Sequence, residues 1–161
     1  MLKVISNTTP LLSLLKIDKL DLLRDLYGIV SIPQAVFLEI EAGKEKPYYR
    51  DLSEYDWIKI VNIRNIESRT YFFDLDDGEA EVLILAKEQG ADLVILDEIM
   101  GRRYAQQLEF NITGTVGILL KAKEKGLISS LGNLLKELAE KGTWLNTNLI
   151  SKALKLAGET E

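Results

Sequence analysis

Short apolar runs alternate with helix-like patterns along this chain, and that alternation constrains the fold more than any other feature. Four runs have the character of buried or half-buried strands: residues 2–5, 28–32, 57–63 and 93–96. Strands that alternate with helices form parallel sheets covered by helices on both faces. We therefore predict a three-layer α/β/α fold with a central, mostly parallel sheet, in one domain spanning residues 1–161.

Helix start and stop signals fit between these runs. Pro33 suits the first turn of a helix that Gly43 ends, and a helix opening near Asp76 runs to about Gln89. Further helices are predicted over 98–108 and from Gly114 to Gly126, on either side of a short segment at 110–112. The tail, about residues 130–158, has the pattern of two amphipathic helices. We expect them to pack on the domain or at a dimer interface.

Two polar residues stand at the ends of the strands expected at the centre of the sheet. In a doubly wound sheet of order 3-2-1-4-5, ligands bind beyond the carboxyl ends of strands one and four, where the strand order reverses. Asn7 follows the first strand and Asp97 follows the fourth. The crevice between these two residues is therefore the expected location of a ligand-binding site.

The composition narrows the chemistry because the chain has no cysteine and no histidine. Thiol nucleophiles, Ser-His-Asp triads and zinc sites built on Cys or His are excluded. A metal ion would be held by oxygen atoms, which favours Mg²⁺ or Mn²⁺. The formal net charge of −5 argues against broad non-specific nucleic-acid binding but permits a local basic patch.

No apolar run approaches the roughly 20 residues of a membrane span, and no basic region precedes an apolar stretch at the N-terminus. From these patterns we expect a soluble, cytoplasmic protein with no membrane partner.

Four residues are candidates for a polar site in the crevice: Asn7, Glu39, Glu79 and Asp97. Each of them also has an ordinary structural explanation. Asn7 and Asp97 can cap the helices that follow them, and Glu79 lies three residues after Asp76, as in a capping box.

Glu39 is predicted on a helix whose apolar face is centred on Val36 and Ile40. Its neighbours one turn away are small: Ala35, Ala42 and Gly43. A carboxylate among small residues leaves room for a ligand or metal ion, although a solvated helix face is an equally ordinary explanation.

Five stretches, in order and at compatible spacing, resemble the PIN-domain family. They resemble in particular a PIN-like branch with an Ile-Ser-Asp-Thr-Ser-Pro-Leu type of opening. The stretches are Ile5-Ser6-Asn7-Thr8-Thr9-Pro10-Leu11, Ile32-Pro33 with Val36 and Glu39, Asp77-Gly78-Glu79-Ala80-Glu81, Leu96-Asp97-Glu98 with Gly101-Arg102, and Gly114-Thr115-Val116-Gly117.

The resemblance implies a metal-dependent endoribonuclease, often the toxin of a VapC-like toxin–antitoxin pair. In that family, residues at the positions of Asn7, Glu39, Glu79 and Asp97 hold one or two Mg²⁺ or Mn²⁺ ions and carry catalysis. We accordingly expect RNA as the substrate, with an antitoxin protein and a second copy of the chain as possible partners.

One departure from the family pattern bears on activity. The first family aspartate is Asn7 here, and an amide oxygen can coordinate Mg²⁺ but brings no negative charge. Glu98 replaces the second aspartate of the fourth motif and either assists Asp97 or starts a helix.

RNA contacts are expected from groups close to the predicted site. Thr8 lies beside Asn7, and Arg102 and Arg103 follow Asp97 closely enough for their guanidinium groups to bind phosphate. Further candidates are the lysines of the later helix, for which a solvated face is the alternative: Lys121, Lys123 and Lys125.

Three hypotheses follow from the sequence. The first is a PIN-type ribonuclease, and the second is a PIN-like binding module that has lost turnover, which Asn7 favours. The third is a phosphorylatable receiver-like domain, which shares the alternating pattern and an acidic crevice. The chain lacks the acidic pair after the first strand and the aspartate after the third that such a domain needs.

Overall fold

A computed structural model describes residues 2–159. Its strands are β1 Val4–Ser6, β2 Val30–Pro33, β3 Ile58–Val61, β4 Leu93–Ile95 and β5 Ile112–Thr113. Its α-helices are α1 Thr8–Lys16, α2 Leu22–Tyr27, α3 Gln34–Glu41, α4 Asp77–Gln89, α5 Ile99–Gln107, α6 Thr115–Glu124, α7 Leu131–Glu140 and α8 Thr147–Leu156. Two 3-10 helices span Leu52–Glu54 and Ile66–Phe72.

The strands form one sheet in the order β3-β2-β1-β4-β5, and every neighbouring pair is parallel. This confirms the predicted three-layer α/β/α fold, and the strand order is that of a doubly wound sheet with β1 beside β4. The order reverses between β1 and β4, which pair in register from Val4 opposite Leu93 to Ser6 opposite Ile95. The carboxyl ends of these two strands therefore open onto the same crevice.

The central strands are apolar because helices cover both faces of the sheet. Val4, Ile5, Val94 and Ile95 are almost completely buried, as expected for a parallel sheet enclosed on both sides. Helix α4 is likewise buried around its circumference, from Gly78 to Ala86. A helix that is buried on all sides lies within the core, so the first turn of α4 is rigidly placed.

The tail helices α7 and α8 pack against α6 and against each other. The apolar positions of the predicted amphipathic pattern become part of the core, including Leu131, Leu135, Leu138 and Ala153. Core packing therefore accounts for these leucines.

The segment between β1 and β2 differs from expectation because it contains a second helix, α2, after α1. The chain turns between the two helices at Asp18, whose φ of 55° lies in the left-handed region. Within residues 2–159 no helix is both long and apolar enough to cross a membrane.

Candidate metal centre

Asn7 stands at the carboxyl end of β1 and is 3% exposed. Its backbone N–H donates a 2.9 Å hydrogen bond to the carbonyl of Ile95, which fixes the residue beside β4. Asn7 occupies the N-cap position of α1, but its side chain makes no capping hydrogen bond. Its Oδ1 atom is buried, and no group in residues 2–159 donates a hydrogen bond to it. Capping therefore does not account for this side chain.

Glu39 lies on α3 and reaches towards the end of β1. The buried hydroxyl of Thr8 donates a 2.7 Å hydrogen bond to Oε2 of Glu39. Thr8 was expected to contact substrate, and the structure instead places its hydroxyl on this carboxylate. The residue thus orients Glu39 towards the crevice.

Asp76 and Glu79 begin helix α4. Oδ1 of Asp76 accepts a 2.8 Å hydrogen bond from the backbone N–H of Glu79, so half of the expected capping box is present. The side chain of Glu79 is 8% exposed, and its Oε2 atom is buried without a hydrogen-bond partner in residues 2–159. The capping box therefore leaves one carboxylate oxygen of Glu79 unsatisfied.

Gly78 lies where these elements meet. A Cβ atom at this position would stand 3.0 Å from Oε2 of Glu39, 3.5 Å from Oδ1 of Asn7 and 3.5 Å from Oδ1 of Asp76. Three oxygen atoms from β1, α3 and the start of α4 therefore surround a small space that a side chain would occupy. Oxygen atoms from an amide and two carboxylates are the donors that Mg²⁺ and Mn²⁺ prefer.

Burial, together with neighbouring negative charge, disfavours ionisation of Glu79. Burial, a hydrogen bond with Asp76 and the negative charges of Asp76 and Glu98 raise the pKa of Glu79 to about 7. Clustered carboxylates repel one another, and a divalent cation would relieve this repulsion.

Both carboxylate oxygens of Asp97 accept hydrogen bonds from the start of helix α6, which lies further along the chain. Its Oδ1 atom accepts a 2.8 Å hydrogen bond from the backbone N–H of Thr115, and its Oδ2 atom accepts a 2.7 Å hydrogen bond from the Thr115 hydroxyl. Gly114 permits this approach, since a Cβ atom there would overlap Oδ1 of Asp97. Asp97 therefore anchors the first turn of α6, and it does not cap α5.

Glu98 occupies the N-cap position of α5, although its side chain makes no capping hydrogen bond. The Thr9 hydroxyl donates a 2.6 Å hydrogen bond to Oε1 of Glu98. Since Glu98 also raises the pKa of Glu79, its charge acts on the same crevice.

The donor chemistry fits a divalent ion, although the side chains do not enclose one. In residues 2–159 no group of three or more Asp or Glu carboxylates is arranged to hold a metal ion. Mg²⁺ is commonly bound through only one or two carboxylates, with waters and substrate phosphate completing its shell. The buried oxygens of Asn7 and Glu79, which lack donors, are what a cation would satisfy.

The candidate cations for RNA contact fall into two groups. Arg102 is half-buried on α5, and its Nε atom is buried with no partner in the described part of the chain, while Arg103 is exposed. Two of the lysines are engaged elsewhere. Lys121 lies over the Tyr27 ring at 5.3 Å, and Lys123 bonds to the carbonyl of Ser129 at 2.7 Å. Lys121 and Lys123 are therefore less available to a phosphate than the exposed Arg103.

Sequence reasoning did not anticipate the role of Asp76 or of Thr115. The sequence predicts only a capping role for Asp76, yet its carboxylate stands beside Glu39 at Gly78. Thr115 is 18 residues beyond Asp97, so a local reading of the chain could not connect them. The Gly114-Thr115 pair predicts a helix start, and the free backbone N–H groups of such a start are the signal that points to an acidic partner.

A family model described as a PIN domain matches residues 3–159 of this chain. The match spans the sheet, the crevice and both tail helices. A search of curated proteins returns no match.

Proposed function

Because the chain belongs to the PIN-domain family, whose fold is of the nuclease type, we propose that it is an endoribonuclease that depends on Mg²⁺ or Mn²⁺. The observation that carries the proposal is the pair of buried acceptor oxygens on Asn7 and Glu79, which no described donor satisfies. Leaving such groups unpaired costs free energy, so a ligand that pairs with them is expected.

The proposed ligands for the ion are Asn7, Glu39, Glu79 and Asp97, with Asp76 at the edge of the site. When bound, a divalent ion supplies a Lewis acid that polarises a phosphoryl oxygen and favours ionisation of water. Oxygen atoms of Asn7, Glu39 and Asp76 surround one small space at Gly78, which supports this assignment, and the burial of Asn7 and Glu79 limits access of bulk water. PIN domains are typically dependent on divalent metals, which agrees with this assignment.

The substrate is proposed to be RNA held through its phosphates. Arg102 and Arg103 stand on the helix that follows Asp97, where a guanidinium group can bind phosphate through two parallel hydrogen bonds. The surrounding carboxylates repel a polyanion, so these arginines and the metal ion together would offset the negative charge of the crevice.

A non-catalytic binding module is the second candidate, and Asn7 is the observation that favours it. The amide supplies no negative charge where the family pattern has an aspartate. Such a module would bind metal ion and RNA without cleaving the strand.

For the active form, we propose the role of the toxin in a toxin–antitoxin pair. Growth arrest on induction of the wild type, but not of Glu79→Gln, would support this role.

The deciding experiment combines Mn²⁺ calorimetry with a cleavage assay on mixed-sequence single-stranded RNA. Wild-type protein should bind Mn²⁺ and cleave the RNA, and Glu79→Gln should lose both properties. Glu124→Gln is the matched control, because Glu124 is an exposed glutamate at the end of α6 with no described contact. Metal binding without cleavage would favour the binding module. Equal activity in the wild type and Glu79→Gln would reject the proposed site.

A further inference from the structure

A cavity of about 840 Å³ adjoins the candidate metal centre. It lies between α3, the 3-10 helix Ile66–Phe72 and the start of α4, and it shares Glu39, Asp76 and Gly78 with that centre. Ligand pockets for small molecules have volumes of roughly 300–1,000 Å³, so the cavity is large enough for a nucleoside. A ligand in this cavity would lie directly beside the oxygens of the metal centre.

Part of the lining is apolar. It is formed by Leu38 on α3, by Ile63 and by Ile66. Leu38 is 56% exposed and Ile66 is 68% exposed, so both side chains present apolar surface that is not covered by residues 2–159. A flat, largely apolar group could pack against this part of the lining.

The net negative charge of the residues that line the cavity disfavours the binding of an anion. The lining has more acidic side chains than basic ones. The acidic residues are Glu39, Asp76, Asp77 and Glu81, and the basic residue is Arg69. Arg69 forms ion pairs with Asp77 and, at 3.7 Å, with Glu81, so its charge is already compensated. A phosphate group would be repelled, whereas a neutral ring would not.

Two side-chain amides line the same cavity. Gln34 and Asn62 make no side-chain hydrogen bond to another residue in the described part of the chain. Amide side chains recognise base edges because each offers both a donor and an acceptor. The guanidinium of Arg69 is held by two carboxylates and offers a planar surface on which a base can stack.

We propose that this cavity binds a nucleobase adjoining the phosphate at the metal centre, with Gln34 and Asn62 as the residues that determine specificity. Asp77 and Glu81 are engaged by Arg69, and the acceptors that remain in the lining are the carboxylates of Glu39 and Asp76 and the two amide oxygens. The lining therefore favours bases with an exocyclic amino group, such as adenine and cytosine, over uracil. The choice of RNA as ligand rests on the proposed function.

Nucleosides test the cavity without requiring metal or cleavage. The side-chain amide signals of Gln34 and Asn62 are followed by NMR while adenosine, cytidine, uridine or inorganic phosphate is added to the full chain. Adenosine and cytidine should shift these signals, uridine should bind roughly tenfold more weakly, and phosphate should have no effect. Absence of any shift with adenosine and cytidine would overturn the proposal, as would equal binding of uridine.

The double variant Gln34→Ala/Asn62→Ala should lose most of the adenosine binding and retain its thermal stability, since neither amide holds the fold together. Gln106→Ala is the control, because Gln106 is exposed on α5 and lies outside the cavity. Unchanged adenosine binding in the double variant would overturn the role of the amides. Nucleoside binding by a chain that does not cleave RNA would contradict the proposed function alone, and cleavage without nucleoside binding would contradict the cavity proposal alone.

Discussion

The hydroxyl of Thr8 donates a 2.7 Å hydrogen bond to Oε2 of Glu39, which lies 31 residues further along the chain. The donor is buried at the start of α1, whereas the acceptor belongs to an exposed residue on α3. A long carboxylate side chain at the surface samples several rotamers, and this bond restricts it to the one that faces Asn7 and Gly78. The local geometry of the candidate centre thus depends on a residue that need not touch the metal ion.

Thr8→Val should therefore weaken Mn²⁺ binding several-fold while leaving the fold intact. The substitution conserves the shape of the side chain and removes a hydrogen bond that contributes about 0.5–1.5 kcal/mol. Calorimetric titration with Mn²⁺ measures the effect. Thr8→Ser retains the hydroxyl and should recover most of the affinity, so equal weakening in both variants would show that the hydroxyl is not the cause.

Gly78→Ala should abolish Mn²⁺ binding without a loss of thermal stability. The new Cβ atom would occupy the space between Glu39 and Asn7, at 3.0 Å from the carboxylate oxygen, and the end of a flexible side chain can move aside. Alanine is also favoured over glycine in a helix by up to about 1 kcal/mol. Gly43→Ala is the control, since a Cβ atom there meets only ordinary contacts at 3.5 and 3.6 Å. Retained Mn²⁺ affinity in Gly78→Ala would place the ion elsewhere.

Asp97→Asn and Thr115→Val separate an anchoring role of Asp97 from a metal-binding role. Asp97→Asn replaces a charged acceptor by a neutral amide, and Thr115→Val removes the hydroxyl that donates to Oδ2 of Asp97, so both substitutions should weaken the link between β4 and α6 and lower the melting temperature. Only Asp97→Asn should also weaken Mn²⁺ binding substantially, because it removes a charge as well. Similar Mn²⁺ affinities in the two variants would mean that Asp97 only anchors α6. Asp56→Asn, at an exposed aspartate with no described side-chain hydrogen bond, controls for loss of charge alone.

The parallel sheet with helices on both faces could be predicted from the sequence because most of the strands are short apolar runs followed by a helix start. These patterns are local. They indicate a parallel sheet because strands that are covered by helices on both faces are apolar on both faces. The order of the strands does not follow from these local patterns. Helix α2 was not predicted, because the turn before it depends on a left-handed conformation at Asp18. Glycine is the usual sequence signal for that conformation, and position 18 is not a glycine. The 3-10 helix Ile66–Phe72 was not predicted because it buries none of its residues and so has no apolar period.

The candidate site was less predictable than the fold, because its hydrogen bonds join distant parts of the chain. Asn7, Glu79 and Asp97 could be selected from their positions at element ends. Their hydrogen-bond partners could not be selected in this way. Thr8 donates to Glu39 and Thr115 donates to Asp97, and each pair lies on different elements. Which oxygens remain without a donor becomes visible only when all these partners are in place.

Glu159 holds the C-terminal end of α8 to the start of α7, and its effect on stability should depend on pH. Its carboxylate accepts hydrogen bonds from the backbone N–H groups of Gly132 and Leu131, and it pairs with Lys123 at 3.2 Å. These contacts, with the Gly132 N–H contributing most, lower the pKa of Glu159 from 4.5 to about 2. A folded-state pKa below the unfolded value means that the stabilisation is complete above about pH 4.5 and is lost as the pH falls towards 2.

Glu159→Gln should accordingly lower the melting temperature clearly at pH 6, and the difference from wild type should shrink as the pH approaches 2. Thermal unfolding at several pH values measures this. Glu140→Gln, at an exposed glutamate that ends α7, should show no such dependence. A difference between wild type and Glu159→Gln that is constant over this pH range would argue against the ionised carboxylate as the source.

The most direct test of the central claim is Mn²⁺ calorimetry on the wild type, Asn7→Asp and Glu79→Gln. At an effective dielectric of about 20, a unit charge pair 4 Å apart interacts by about 4 kcal/mol, and desolvation and carboxylate repulsion remove much of this gain. We therefore predict that Asn7→Asp binds Mn²⁺ on the order of tenfold more tightly than the wild type, and that Glu79→Gln loses binding. The same Mn²⁺ affinity in all three proteins would contradict a metal centre between these residues.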